Sequence, residues 1–376
     1  MYKVVESVEK KSVRIAHIIG RMCAGGVESV VFNYYRQINK DVIQFDFYYD
    51  SDSTIEPPEE LVSLGARFFK VPAYKNLNKY INTLYNHFKI NNYDIVHSHL
   101  NTLSIFPLFA AKMAGIPIRI AHNHSVPGGN EWRRNALKYF LKNFSKTYAT
   151  DYFACSEKAG RWLFGNRIYE DGKVFILRNA VDFEKYLKEY PESTEMIQKL
   201  NIKDKFIVGN VGRFTFAKNH SFLLEVFKLV KKERNDAILL LVGDGELREE
   251  IIEKINTLGI SDSVIMAGKV SNPEIYYKLM NVLLIPSIFE GLSLTAIEGQ
   301  ISGIPVLASE AVPIEAKISS AFKYLSLSES ALCWAEEVIK ISQKKSYLTE
   351  EHENYDIKRK VSVLENWYLN RIEKLN

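Results

Sequence analysis

Val282-Leu-Leu-Ile285, an unbroken apolar run stopped by Pro286, constrains this fold more than any other stretch. Four branched aliphatic residues with no polar alternation suit a strand covered on both faces, as in a parallel sheet. Leu294, Ile297 and Ile301 then recur at i, i+3 and i+7, the spacing of one helix face, with Ser293 at the N-cap position. Residues 303–309, Gly-Ile-Pro-Val-Leu-Ala-Ser, return to strand character. Strand, helix and strand in that order form a βαβ unit, and parallel strands require such a crossover. The unit carries Glu290 in its loop and Glu298 eight residues on, inside the helix. Ligands of open α/β sheets bind at the carboxyl ends of the strands, where these carboxylates lie. Taken alone, the pair reads equally as a turn acceptor and a surface helix residue.

The same alternation runs through the whole chain. Strands are expected at residues 13–19, 45–49, 67–71, 93–97, from 117, and at 151–156 and 174–182, with helical spacing between them. A charged segment, 183–204, lacks strand character and reads as a linker. Strands at 206–212, 237–242 and 264–267 follow, with helices at 220–232 and 247–258. At 376 residues the chain exceeds what one core normally organises. The expected architecture is therefore α/β, two Rossmann-like doubly wound parallel-sheet domains facing a cleft, with the first domain spanning 1–182 and the second 183–354.

Composition excludes several classes. Hydrophobic residues at 47% and charged residues at 25% are those of a folded globular chain. A net charge of +4, with the basic residues gathered on one helix and no aromatic-interleaved surface, argues against nucleic acid as a partner. Cys23, Cys155 and Cys333 are odd in number and far apart with no C-x-x-C, which suggests neither a disulfide framework nor a zinc site and points to a reducing compartment. Residues 1–12 lack the apolar core of a signal peptide, and no window approaches the roughly 20 apolar residues of a membrane span. The expected location is cytoplasmic, extending to the inner face of the cell membrane.

Several local patterns carry chemistry. Gly25-Gly26 joins the first strand to a helix and reads either as a plain turn or as a phosphate site, where backbone and helix N-terminus meet an anion. Asp50-Ser-Asp52 has the D-x-D form of metal-dependent transferases and equally that of a solvated turn. His97 and His99 alternate across a strand, so only one of them is expected to face a ligand. With His122 and His124 they supply no identifiable third zinc ligand, so no metal is assigned, and His124 is the best candidate for a ligand-facing imidazole. In residues 131–148, Arg134, Lys138, Lys142 and Lys146 repeat every four residues beside an apolar row of Trp132, Ala136, Phe140 and Phe144. This basic amphipathic helix reads either as core-packed with a solvated face or as docking on an anionic membrane. Finally, Gly212-Arg213 follows a buried-looking strand, and Lys218 comes five residues later. Arg213 and Lys218 can place two permanent cations on one bound anion.

These motifs, in their order, resemble those of retaining GT-B-fold glycosyltransferases of family 4, in the branch that builds capsules and exopolysaccharides. The resemblance runs from Val13 to the C-terminal helix and rests on Gly25-Gly26-Val-Glu28, Asp94-Ile-Val-His97-x-His99, Asn179-Ala-Val-Asp182, Gly212-Arg213 with Lys218, Gly243-Asp-Gly245, and Glu290 with Glu298. It implies that Arg213 and Lys218 bind the donor diphosphate and neutralise its developing charge in place of a metal. It further implies that Glu298 accepts from ribose hydroxyls and Glu290 from the donor sugar. Gly212, Gly291 and Leu292 would present backbone to sugar or phosphate, Gly25 and Gly26 would cover the diphosphate, and His124 would touch the sugar. A final helix in residues 355–376, with Val361, Leu364 and Trp367 at helical spacing, would cross back onto the first domain. Two positions depart from the family pattern: Ala180 stands in an Asn-Gly-Val-Asp motif, and Ser293 stands where glycine is usual after Glu-Gly-Leu.

The implied activity is transfer of a hexose or N-acetylhexosamine from a nucleoside-diphosphate sugar, UDP foremost, to a lipid-linked saccharide, with no cofactor and no metal. Two alternatives stand beside it: a nucleotide-sugar epimerase of the same fold, and an inactive nucleotide-sugar-binding partner of a polysaccharide assembly complex.

Overall fold

A computed structural model describes residues 12–23, 26–125 and 132–375, with side chains from 137 onward in the last span. Two wholly parallel sheets organise it. In the first, β1 (Val13–Gly20), β2 (Ile43–Asp50), β3 (Arg67–Val71), β4 (Ile95–Ser98), β5 (Ile118–Asn123), β6 (Asp151–Ala154) and β7 (Val174–Ile176) lie in the order β3-β2-β1-β4-β5-β6-β7. In the second, β8 (Phe206–Val211), β9 (Ala237–Val242), β10 (Val264–Gly268), β11 (Val282–Ile285), β12 (Val306–Ser309) and β13 (Phe322–Leu325) lie in the order β10-β9-β8-β11-β12-β13. The doubly wound α/β expectation is met in both sheets. In each, the winding reverses once, between β1 and β4 and between β8 and β11. Loops leaving adjacent strands there diverge to opposite faces and open a crevice.

Strand β11 is apolar on both faces because helices cover both. Val282, Leu283, Leu284 and Ile285 are all buried. The helix Leu294–Ile301 lies close against this strand, since a Cβ on Gly299 would stand 2.5 Å from Leu283 Cδ2. Close helix–strand packing fixes where the same helix carries Glu298. On the other face, Trp334 of the helix Ala331–Ser342 is fully buried among Val208, Leu239 and Leu284, and its indole N–H donates to Ser326 O at 3.0 Å. Truncating such a residue typically costs about 3–5 kcal/mol.

The described residues form two compact units, one ending at Ala180 and resumed at Asn354, the other running Val181–Glu353. Residues 183–204 hold two helices, Phe183–Leu187 and Pro191–Lys199, and Phe183 and Tyr186 are buried in the second unit. The last helix, Ile357–Glu373, belongs with the first unit. Its Arg371 Nε donates to Asp151 Oδ1 at 2.9 Å, and its Trp367 ring meets Phe153 edge-on at 4.7 Å.

Two expectations need correction. The basic segment 131–148 is one helix only over Trp132–Lys142, and Lys146 lies in the turns beyond it. Asn143, Ser145 and Thr147 end the helix, and the Ser145 hydroxyl donates to Lys142 O at 2.7 Å, taking up a terminal carbonyl. Secondly, side chains two residues apart on a strand point to the same face, so His97 at the end of β4 and His99 just past it are not divided as expected.

Candidate functional site

Because β8 and β11 are neighbours at the winding reversal of the second sheet, the loops that leave them meet. Ile288 N–H donates to Ala217 O at 2.8 Å, which brings Lys218 against the loop carrying Glu290. Lys218 Nζ donates to Glu290 Oε1 at 2.6 Å, and the Ser287 hydroxyl donates to the same oxygen at 2.8 Å. The lysine side chain is 21% exposed and the glutamate 9%, so this charge-assisted bond lies in a largely desolvated place while one edge stays open. Glu290 Oε2 makes no hydrogen bond with the described residues.

Arg213 starts the same loop as Lys218. Its guanidinium is half exposed and lies 3.2 Å from Glu246. The backbone beneath it is stitched to the next loop: Gly212 N–H donates to Val242 O at 2.9 Å, Phe214 N–H to Asp244 O at 3.0 Å and Leu247 N–H to Phe214 O at 3.1 Å. That crossing leaves no room for side chains. A Cβ on Gly243 would fall 1.9 Å from Gly212 O, and one on Gly245 2.4 Å from Phe214 O. The Gly243-Asp-Gly245 motif is therefore a packing requirement that holds the Arg213 loop in place.

Glu298 has a separate set of partners. The Tyr277 hydroxyl donates to its Oε2 at 2.8 Å, and the ring of Tyr186 lies 5.8 Å from that of Tyr277. Part of the residue stays open while its carboxyl group is enclosed. Burial raises the Glu298 pKa above the ordinary carboxylate value, and hydrogen bonding from Tyr277 and Tyr186 and the charge of Lys185 pull it back. The carboxyl group is held by phenol hydroxyls, and its remaining lone pairs can accept from further hydroxyls.

Between the two glutamates, the N–H groups of Gly291 and Leu292 have no acceptor among the described residues. Both precede a helix N-terminus, where free N–H groups favour anions and polar oxygens. Ser293 takes the N-cap position, and its carbonyl accepts from Ala296 N–H at 3.1 Å, but its hydroxyl caps nothing and is buried without a partner.

In the first unit, Gly25 lies outside the described residues. Gly26 opens the helix Gly26–Gln37 in open space, and the buried Glu28 carboxylate accepts from Cys23 N–H at 2.8 Å. His124 follows β5 directly, and its N–H donates to Asn101 Oδ1 at 2.7 Å. The ring itself is 6% exposed and packs among other imidazoles, with Nε2 2.9 Å from His99 Nδ1. His97 and His99 stack at 4.3 Å, so both join one cluster, contrary to the expected division across the strand. Asp50 is buried with neither carboxylate oxygen hydrogen-bonded, and burial followed by repulsion from Asp52 raises its pKa to about 7. A solvated turn describes Asp52 alone, which lies 3.3 Å from Lys75 Nζ.

Of the apolar row of the basic helix, the side chains of Trp132 and Ala136 lie outside the described residues, and the described members are not core-packed. Leu137 is 54% exposed, Phe140 61% and Phe144 42%. Lys142 Nζ lies over the Trp162 ring at 5.4 Å and Lys146 Nζ reaches Phe164 O at 3.5 Å, while Lys138 is half-buried and the side chain of Arg134 lies outside the described residues. Among the described residues no helix is long and apolar enough to cross a membrane.

Sequence reasoning found Lys218, Glu290, Arg213 and Glu298 but not what holds them. Ser287, Tyr186, Tyr277 and Lys185 carry no local signature. Only the buried apolar position of Tyr277 in a short helix, Pro273–Tyr277, set it apart.

Residues 192–360 match the family description "Glycosyl transferases group 1", and residues 24–185 match "Glycosyltransferase Family 4". EpsF of Bacillus subtilis (strain 168), which carries a glycosyltransferase designation, is 31% identical over 96% of this chain and 97% of its own. An Escherichia coli enzyme named UDP-Gal:alpha-D-GlcNAc-diphosphoundecaprenol alpha-1,3-galactosyltransferase is 25% identical, covering 79% of each chain. HepE of Anabaena, solved in complex with UDP and glucose, shares the fold with a TM-score of 0.77 at 14% identity, over 95% of this chain and 99% of that one.

Proposed function

Since the chain belongs to the group 1 glycosyltransferases, of the family 4 type with a GT-B fold, we propose that it is a retaining, metal-independent enzyme of polysaccharide assembly. It transfers a hexose or N-acetylhexosamine from a UDP-sugar to a lipid-linked saccharide. The observation that carries this reading is the convergence of Lys218, Glu290 and the Arg213 loop at the carboxyl ends of β8 and β11, beside the free N–H groups of Gly291 and Leu292.

In this reading the donor diphosphate lies against Arg213 and Lys218. The ammonium of Lys218, held by Glu290 in the resting protein, is then shared between carboxylate and phosphate. Two fixed cations stabilise the charge that grows as the bond from the anomeric carbon to the phosphate oxygen breaks. The acceptor hydroxyl bonds to the same face of that carbon, and its proton passes to the departing phosphate, so no enzymic nucleophile is needed. Glu290 offers Oε2 to a sugar hydroxyl, and Glu298, oriented by Tyr277, accepts from the ribose.

A lipid-linked acceptor agrees with the name of the Escherichia coli relative, whose substrate carries undecaprenol. It agrees also with the exposed Leu137, Tyr139, Phe140 and Phe144 beside Lys138 and Lys142, a surface suited to the anionic inner face of the membrane.

The deciding experiment measures transfer from a panel of UDP-sugars to extracted lipid-linked saccharides, for the native chain and for Lys218→Ala and Glu298→Ala. Both variants should keep the native circular dichroism spectrum and lose transfer. Full activity in both defeats the reading, and conversion of the UDP-sugar without any acceptor, followed by NMR, favours an epimerase instead.

A further inference from the structure

Five of the chain's eight histidines gather in the first unit at the carboxyl ends of β1, β4 and β5: His17, His97, His99, His122 and His124. None is more than 6% exposed. Their ring nitrogens form two chains. His17 Nδ1 lies 3.0 Å from His99 Nε2, and His99 Nδ1 lies 2.9 Å from His124 Nε2. The Tyr368 hydroxyl lies 2.6 Å from His97 Nδ1, and His97 Nε2 lies 3.0 Å from His122 Nδ1. Each chain ends on nitrogens that are buried without a partner: His17 Nε2, His124 Nδ1 and His122 Nε2.

We propose that His99, His122 and His124 bind a divalent transition metal of the zinc class, with His17 and His97 orienting the ligands from behind. One nitrogen from each of the three lies within 4.8 Å of the other two. Imidazole is the preferred ligand of such ions, and three protein ligands leave a fourth, tetrahedral position open. The proton arrangement is self-consistent. With the lone pairs of His99 Nδ1, His122 Nε2 and His124 Nε2 on the metal, His99 donates its Nε2–H to His17 Nδ1. His122 then donates its Nδ1–H to His97 Nε2, and His97 donates its own Nδ1–H to Tyr368. Every imidazole is neutral and every outer nitrogen of His99 and His122 is held, the arrangement that fixes tautomer and ring angle at metal sites. His124 keeps its Nδ1–H for another acceptor. All five histidines belong to the first unit, whereas Arg213 and Lys218 belong to the second.

The test titrates Co²⁺ into the full chain after chelator treatment. One equivalent should bind with the intense visible absorption of a tetrahedral ion, and Zn²⁺ should displace it. His99→Gln and His122→Gln should abolish this binding, His97→Gln should weaken it by about 10- to 100-fold as the loss of an outer hold does, and His352→Gln should leave it unchanged. Absence of stoichiometric uptake by the native chain overturns the proposal, as does uptake that survives in both His99→Gln and His122→Gln. Because substitutions in a buried cluster can unfold the unit, ring-nitrogen NMR of the ¹⁵N-histidine native chain provides a second reading. Zn²⁺ must shift the nitrogens of His99, His122 and His124, and an unchanged spectrum equally overturns the proposal.

Discussion

The two sheets reverse their winding in the same way, yet the residues at the two reversals obey opposite electrostatic rules. At β8 and β11 the loops carry permanent charge, Lys218 on Glu290 and Arg213 on Glu246, with an edge open to solvent. At β1 and β4 the strand ends are packed with imidazoles that burial keeps neutral, and Asp50, ending β2, has a pKa raised to about 7. One topology thus serves a polar anion receiver and an enclosed neutral network. The difference comes from a few side chains just past the strand ends and from how much water reaches them, since an unpaired buried charge is costly while a paired, half-open one is tolerated.

The comparison can be broken at several points. The largest effect is expected at the charged reversal: Lys218→Ala and Glu298→Ala should each lower the transfer rate by about 100- to 1000-fold, the usual cost of removing one preorganised electrostatic contact, in initial-rate measurements. Next is Asp50. Its folded pKa of about 7 lies above that of the unfolded chain, so the stability it contributes is fully present below about pH 4, declines as pH rises towards 7 and is gone above it. Asp50→Asn should therefore stabilise the protein at pH 8 by on the order of 2 to 4 kcal/mol, and much less at pH 4, in urea unfolding followed at both pH values. Equal stabilisation at both would show that folding does not raise the Asp50 pKa.

Tyr368→Phe tests the neutral network directly. It removes the hydroxyl on His97 Nδ1 and leaves a buried ring nitrogen unpaired, for an expected loss of about 1–3 kcal/mol. The smallest effect belongs to the rim of the charged site. Glu246→Gln should change stability by less than about 0.5 kcal/mol, because both members of its pair with Arg213 are half exposed.

What the sequence made legible follows from the range of the interactions. Val282–Ile285 announced a buried strand through its own composition, and Glu290 and Glu298 stood out because one loop and one helix carry both. The strand Phe322–Leu325 went unread, as an edge strand of four residues interrupted by Lys323 has no continuous apolar run. The partners of the glutamates were hidden for a different reason. Lys218 and Glu290 lie 72 positions apart and Tyr277 and Glu298 21, and nothing in either neighbourhood encodes the encounter. The expected division of His97 from His99 failed because side chains two residues apart on a strand point to the same face, and the two rings stack at 4.3 Å.

The return of the helix Ile357–Glu373 to the first unit bears on how the chain is made. His97 takes its hydroxyl partner from a residue 271 positions later, and Asp151 takes its arginine from one 220 positions later. During synthesis the segment Val181–Glu353 must be produced in between. At about 5–20 residues per second that interval lasts roughly 10–35 s. Throughout it the first unit waits on the ribosome with Phe153 and the His97 side of its sheet uncovered, while the second unit, contiguous in sequence, is free to fold first.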